Sequence, residues 1–200
     1  MNTASTNAVR ETQVPTGTAI HATLPGAHFF DAYMVTDPRP ATSALATWLD
    51  VVKRTPLCTQ HLLALRNKLV RLVGLKGVGQ LQDMHPPASG ASPLDASSYR
   101  VGDRVGIFVI RHLSDTEVVM GQDDKHLDVQ VSLTKHPKPT SADSPDSTDS
   151  TDSPATVVLS TVVHIHNTLG HAYMAVITPF HRRIVRVMLQ RLAPSNHGPR

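Results

Sequence analysis

The stretch VVHIHNTLGHAYMAVITPFHRRIVRVMLQRL, Val162–Leu192, decides the fold. It opens as an apolar strand carrying His164 and His166, turns at Gly170, and continues as an amphipathic helix after Pro179. Phe180, Ile184, Val187, Met188 and Leu192 recur at helical spacing, while Arg182, Arg183, Arg186 and Arg191 occupy much of the opposite side. A last strand followed directly by a long helix predicts a closing unit in which the helix packs on the sheet. The arginines then read as a solvated face rather than as a membrane-binding surface.

Toward the N-terminus the period changes to two. Val101–Arg111 contains GIFVIR and reads as a buried strand, and Glu117–Met120 reads as another. Gly121-Gln122-Asp123-Asp124 has hairpin-turn chemistry, and Lys125–Thr134 returns. In that return, Leu127, Val129, Val131 and Leu133 share one face, and His126, Asp128, Gln130 and Ser132 share the other. One face is expected toward the core and one toward water or a polar groove. Thr156–His166 supplies the last strand, and His28–Val35, rich in aromatic and β-branched residues, the first.

Two helices are expected after that first strand. Thr42–Arg54 has Thr42 or Ser43 as a cap, with Leu45, Leu49 and Val52 on one face. A second opens at Thr55-Pro56, carries Leu62, Leu65, Leu69 and Leu72 as a stripe, and stops at Gly74 and Gly77. Residues 78–98 have no clear period and read as a long connection. The order predicts an α+β fold: a curved antiparallel sheet wrapped around a long C-terminal helix, with two helices near the N-terminus.

The 200 residues fit one core with loose ends. Residues 1–25 are expected as a flexible arm, 26–193 as the domain, and 194–200 as a tail. The Ser/Asp/Pro run at 137–154 sets Lys138 against Asp143, Asp146, Asp149 and Asp152. It has too little apolar surface to offset its ordering entropy and reads as a disordered loop.

A net charge of +3 and an aromatic content of 4% offer neither the basic excess nor the stacking residues of a nucleic-acid binder. The polar N-terminus has no secretory apolar core, and no apolar run approaches the ~18 residues of a membrane span. A cytoplasmic protein is expected, without membrane or nucleic-acid partners. One cysteine, Cys58, excludes an intrachain disulfide; its apolar neighbours suit a buried inert thiol.

Several residues are candidates for chemistry. His164-x-His166 places two imidazoles on one strand face, roughly 7 Å apart. That spacing suits a divalent ion, but zinc needs a third ligand, for which His126, Asp128, His171 and His181 are available. Sequence places none of them, and two polar rings on a strand face are the plainer reading, so no metal is predicted. Asp31, among Phe29, Phe30, Ala32 and Tyr33, is a carboxylate in an apolar strand; it is expected to face outward or to be held by a partner such as Arg66. His126 and Asp128 share a strand face and could form an oriented imidazole–carboxylate pair with a histidine from another strand. Gly74-x-x-Gly77-x-Gly79 follows a helix rather than a strand, and no Gly-x-Ser-x-Gly elbow occurs, so no cofactor is predicted.

FFDAYMV at 29–35, LALRNKLVRLVGL at 63–75, GDRVGIF at 102–108, EVVMGQDDKHLDVQVS at 117–132 and VVHIHNTLGHAYMAVITPFHRRIV at 162–185 together resemble a bacterial family of small proteins of unknown function, DUF2867. The resemblance implies a fold similar to the helix-grip arrangement of START and polyketide-cyclase-like proteins, whose members bind hydrophobic ligands around the closing helix. On that analogy a small hydrophobic or amphipathic molecule would sit between sheet and C-terminal helix, lined by Tyr33, Phe108, His164, His166 and Tyr173. The alternative is a cyclase, dehydratase or isomerase, with His164 or His166 as base and Asp31 or Asp128 orienting it. Relatives fused behind NAD(P)-binding domains imply a third possibility, an accessory module of a separate oxidoreductase.

Overall fold

Seven antiparallel strands form one open, curved sheet in the computed structural model, which describes residues 8–54, 95–138 and 154–192. The strands are β1 (Arg10–Thr12), β2 (Phe29–Thr36), β3 (Arg104–Val105), β4 (Phe108–Leu113), β5 (Glu117–Asp123), β6 (Leu127–His136) and β7 (Thr156–Ile165). Their order across the sheet is β1-β2-β7-β6-β5-β4-β3. The helices α1 (Ala44–Lys53) and α2 (Thr168–Gln190) pack on one face. The expected second helix, Arg66, Cys58 and most of the Ser/Asp/Pro run lie outside the described residues.

Local chemistry accounts for α1. Ser43 accepts the N–H of Ala46 as its cap, and Leu45, Trp48, Leu49 and Val52 are buried against the sheet. Those side chains meet Tyr33 and Val35 of β2, Leu133 of β6 and Leu159 of β7. Lys135 of β6 is buried beneath the loop before α1. Its ammonium lies 3.1 Å from Asp37 and donates to the carbonyls of Arg39 and Thr42, so a buried charge pins that loop.

Several boundaries differ from expectation. The strand expected at 101–111 is a tight hairpin: β3 and β4 pair Val105 with Phe108, and Gly106 adopts φ 62° between them. β5 runs through Gly121 to Asp123, so the turn falls at 124–126, closed by Asp124 N–H to Leu127 O at 3.0 Å. The closing helix starts at Thr168 rather than after Pro179. Asn167 caps it by accepting the N–H of Gly170 at 3.1 Å. Gly170 therefore sits in the first helical turn, where a Cβ would come within 2.3 Å of the His126 carbonyl oxygen. Pro179 lies inside the helix and removes one backbone rung without ending it.

The second sheet face also departs from its simple alternation. Ser132 and Gln130 of β6 are buried, as are Val158 and Val162 of β7. Residues 14–24 cover this face: Val14 and fully buried Ile20 pack against Ala32, Val119, Val158 and Val162. Glu117 fastens the cover, its carboxylate accepting the N–H groups of Ala19 (2.7 Å) and Ile20 (3.1 Å) and the hydroxyl of Ser132 (3.1 Å). The described part of the segment expected as a flexible arm is thus an edge strand followed by a packed layer. Among the described residues, no helix is long and apolar enough to cross a membrane.

Candidate functional site

β2, β7 and α2 converge on one carboxylate and one imidazole. Along β2, Phe29, Asp31 and Tyr33 point to the helix side, because side chains alternate across a strand. Register then sets Asp31 directly opposite Thr161 of β7. On α2, Tyr173, Ile177, His181, Val185 and Met188 follow helical spacing toward the sheet, which puts an imidazole within an otherwise apolar stripe. His181 Nε2 lies 3.2 Å from Asp31 Oδ1 and 3.2 Å from Thr161 Oγ1.

This group borders a cavity of about 140 Å³ between the sheet and α2. Phe29, Val129, Val131, Leu159 and Val163 form its sheet wall; Ile177, Val185 and Met188 form its helix wall. Trp48 of α1 and Phe108 of β4 also line it. Three buried polar atoms near this core make no hydrogen bond among the described residues: Asp31 Oδ2, Tyr33 OH and Trp48 Nε1. Burial, with the nearby carboxylates Asp31 and Glu11, raises the Tyr33 phenol above its ordinary pKa. Arg186, five residues beyond His181, lies 5.2 Å from the centre of the Tyr33 ring and 3.2 Å from Glu11, and Arg182 lies 6.0 Å from that of Phe29.

The residues singled out from sequence separate into two groups. Phe108 and Tyr173 line the cavity, and Tyr33 is fully buried on the same sheet face beside Asp31. Asp31 is buried and paired, but with His181. His164 falls on the opposite face, as alternation from Val163 requires, with Nε2 3.2 Å from the Pro25 carbonyl oxygen. His166 lies past the end of β7, exposed, with Nδ1 3.1 Å from the Asp124 carbonyl oxygen. Asp128 is also on the far face, held by Arg111 through two contacts of 3.0 and 2.9 Å. His126 contacts Asn167, and Asp128, opposite His164 of β7 in register, pairs with Arg111. Among the described residues, no group of three metal-ligating side chains is assembled.

The sequence offers His181 only as one candidate for a third metal ligand. Its place four residues from both Ile177 and Val185 marks it as part of the buried stripe once the helix is known to start at Thr168.

The family model described as "Protein of unknown function (DUF2867)" matches residues 23–188. No curated protein and no solved structure matches the chain.

Proposed function

The chain belongs to the DUF2867 family of proteins of unknown function, and from its interior we propose that it binds a small, ring-sized, mainly apolar molecule between the curved sheet and α2. The observation that carries this reading is the cavity itself: about 140 Å³, walled by aliphatic and aromatic side chains, with His181 and Thr161 on its lining. An apolar cavity of roughly 150 Å³ holds a benzene-sized guest, whereas drug-sized ligands need about 300 Å³ or more. The occupant is therefore a single ring or a short branched chain rather than a long lipid. Affinity comes from the apolar walls and orientation from the polar end.

Trp48 is the chain's one tryptophan and lines the cavity, so its emission reports occupancy without labelling. Titration with toluene should change that emission saturably, at roughly 10 µM to 1 mM for a ligand of so few atoms. Val163→Phe, which projects a larger side chain into the cavity, should abolish the change while the protein stays folded. A linear response to toluene, or an unaltered response in Val163→Phe, would contradict the proposal.

A further inference from the structure

We infer that His28 is an acid-sensitive latch on the cavity between the sheet and α2. Neutral, it holds the corner of β2, β7 and α2 together; protonated, it lets go. This rests on the ligand-binding reading and gives that site a control by pH.

His126, His164, His166 and His171 gather with His28 where β7 hands over to α2, and their partners decide how each responds to a proton. His164 Nε2 lies 3.2 Å from the Pro25 carbonyl oxygen and His166 Nδ1 lies 3.1 Å from that of Asp124. A carbonyl can only accept, so both nitrogens donate and both bonds survive when the rings become charged. His126 Nδ1 faces the side-chain nitrogen of Asn167 at 3.0 Å and its oxygen at 3.2 Å, which supplies a partner in either state. His28 is different. Its Nδ1 accepts the backbone N–H of Ile165 at 3.0 Å, and that nitrogen has to keep its lone pair. A proton there sets one N–H against another, and the bond is lost.

A second ring acts in the same direction. His171, in the first turn of α2, stands edge-on to His28 with ring centres 5.4 Å apart and planes at 80°. Like charges disfavour each other at such a separation. Neither ring forms an ion pair with a carboxylate among the described residues, so no acidic partner offsets the repulsion. The titratable neighbour of Ile165 on β7, His164, is engaged on the opposite face. Charging His28 therefore acts on β7 through a lost bond and on α2 through repulsion.

The latch stands at one end of the cavity. Phe29 follows His28, Val163 lies two residues before Ile165, and Tyr173 lies two beyond His171; all three line the cavity. Phe29 and Ile165 also pack against Val163, Tyr173 and Met174. The His28 backbone N–H already bonds the Val163 carbonyl at 2.9 Å, so the imidazole adds the outermost rung between β2 and β7. The closed corner binds one proton fewer than the loosened one. Falling pH therefore favours the loosened corner and weakens retention of a guest.

The test uses the full chain and toluene, a probe that does not titrate, read by Trp48 emission at about pH 8 and about pH 5, either side of the ordinary histidine range. The wild type should bind toluene about 3- to 10-fold more weakly at the lower pH, the range set by one hydrogen bond. His28→Asn places a non-titrating acceptor oxygen near the position of Nδ1, so it should bind as the wild type does at the higher pH and keep that affinity at the lower. His28→Ala lacks the bond throughout and should bind weakly at both. In isotope-edited NMR the Ile165 amide signal should move in step with the His28 ring signals. Equal wild-type affinity at the two pH values, or undiminished pH dependence in His28→Asn, overturns the latch while the binding reading stands. Absence of toluene binding at the higher pH overturns the binding reading instead. An Ile165 amide signal that stays in place while His28 titrates overturns the latch by itself.

Discussion

His181 Nε2 stands 3.2 Å from Asp31 Oδ1 across 150 residues of chain, tying the closing helix to the second strand. Asp31 retains 7% of its surface in water, so its carboxylate depends on the imidazole. Replacing His181 by alanine leaves that carboxylate facing aliphatic walls and should cost ~2 kcal/mol, in the range for hydrogen bonds to charged groups. Because the two side chains share one interaction, Asp31→Asn combined with His181→Ala should cost less than the sum of the single changes by ~0.5 kcal/mol or more. Urea unfolding of the four proteins measures this; strict additivity would show that the pair is not coupled.

Two glycines predict opposite tolerances. A Cβ at Gly170 would meet the His126 carbonyl oxygen at 2.3 Å and the Ile165 side chain at 2.7 Å, so backbone at the helix start has to move. Gly170→Ala should destabilise by ~1–3 kcal/mol, as overpacking does. A Cβ at Gly121 would meet only the Arg111 side chain, at 2.5 Å. That side chain can swing away, losing a partly exposed pair with Asp128 worth ~1 kcal/mol or less. Thermal unfolding of both variants should therefore rank Gly170→Ala as the more damaging by a clear margin.

Glu117 holds the covering layer through two consecutive backbone N–H groups and a serine hydroxyl. Glu117→Ala strands those donors beneath residues 14–24 and should cost ~2–4 kcal/mol, given the penalty for each buried group left unmade. Hydrogen exchange at Ile20 should accelerate at least as much as exchange in the central strands β6 and β7. Unchanged protection at Ile20 would mean the layer is held by its apolar contacts alone.

Tyr33 makes the stability sensitive to alkali. Burial and the nearby carboxylates raise its folded-state pKa, so above about pH 10, the ordinary tyrosine value, the unfolded chain releases its proton first. Stability contributed by the neutral phenol is complete below that pH and is lost as pH rises toward the folded-state value. Tyr99, raised by burial and Asp103, acts in the same direction. Tyr33→Phe removes a buried hydroxyl that has no partner among the described residues. It should be neutral or slightly stabilising at pH 7 and should reduce the stability loss between pH 9 and 11 followed by circular dichroism. A steeper loss in the variant would contradict this origin.

The strands were legible because apolar alternation is a direct imprint of a half-buried sheet; β2, β6 and β7 fall close to their expected places. Ser132 and Gln130 misled because the segment that covers them, residues 14–24, is rich in threonine and alanine and carries no period of its own. Gly170 and Pro179 looked like breakers, yet one permits a close approach to His126 and the other removes a single rung. The true helix start at Thr168 also determines where His181 falls. With the helix begun at Pro179, His181 falls in a first turn; begun at Thr168, it falls between Ile177 and Val185 on the buried stripe. Asp31 was visible as a misplaced carboxylate, but its partner comes from a strand-to-helix crossing that only tertiary structure supplies.

The most direct measurement is the position of a bound guest. With toluene saturating the isotope-labelled protein, intermolecular NMR cross-peaks should connect its ring protons to methyl groups of Val163, Ile177 and Leu159, which face one another across the cavity. Cross-peaks confined to Val119 and Val158 on the covered opposite face, or none at saturation, would contradict a ligand site between the sheet and α2.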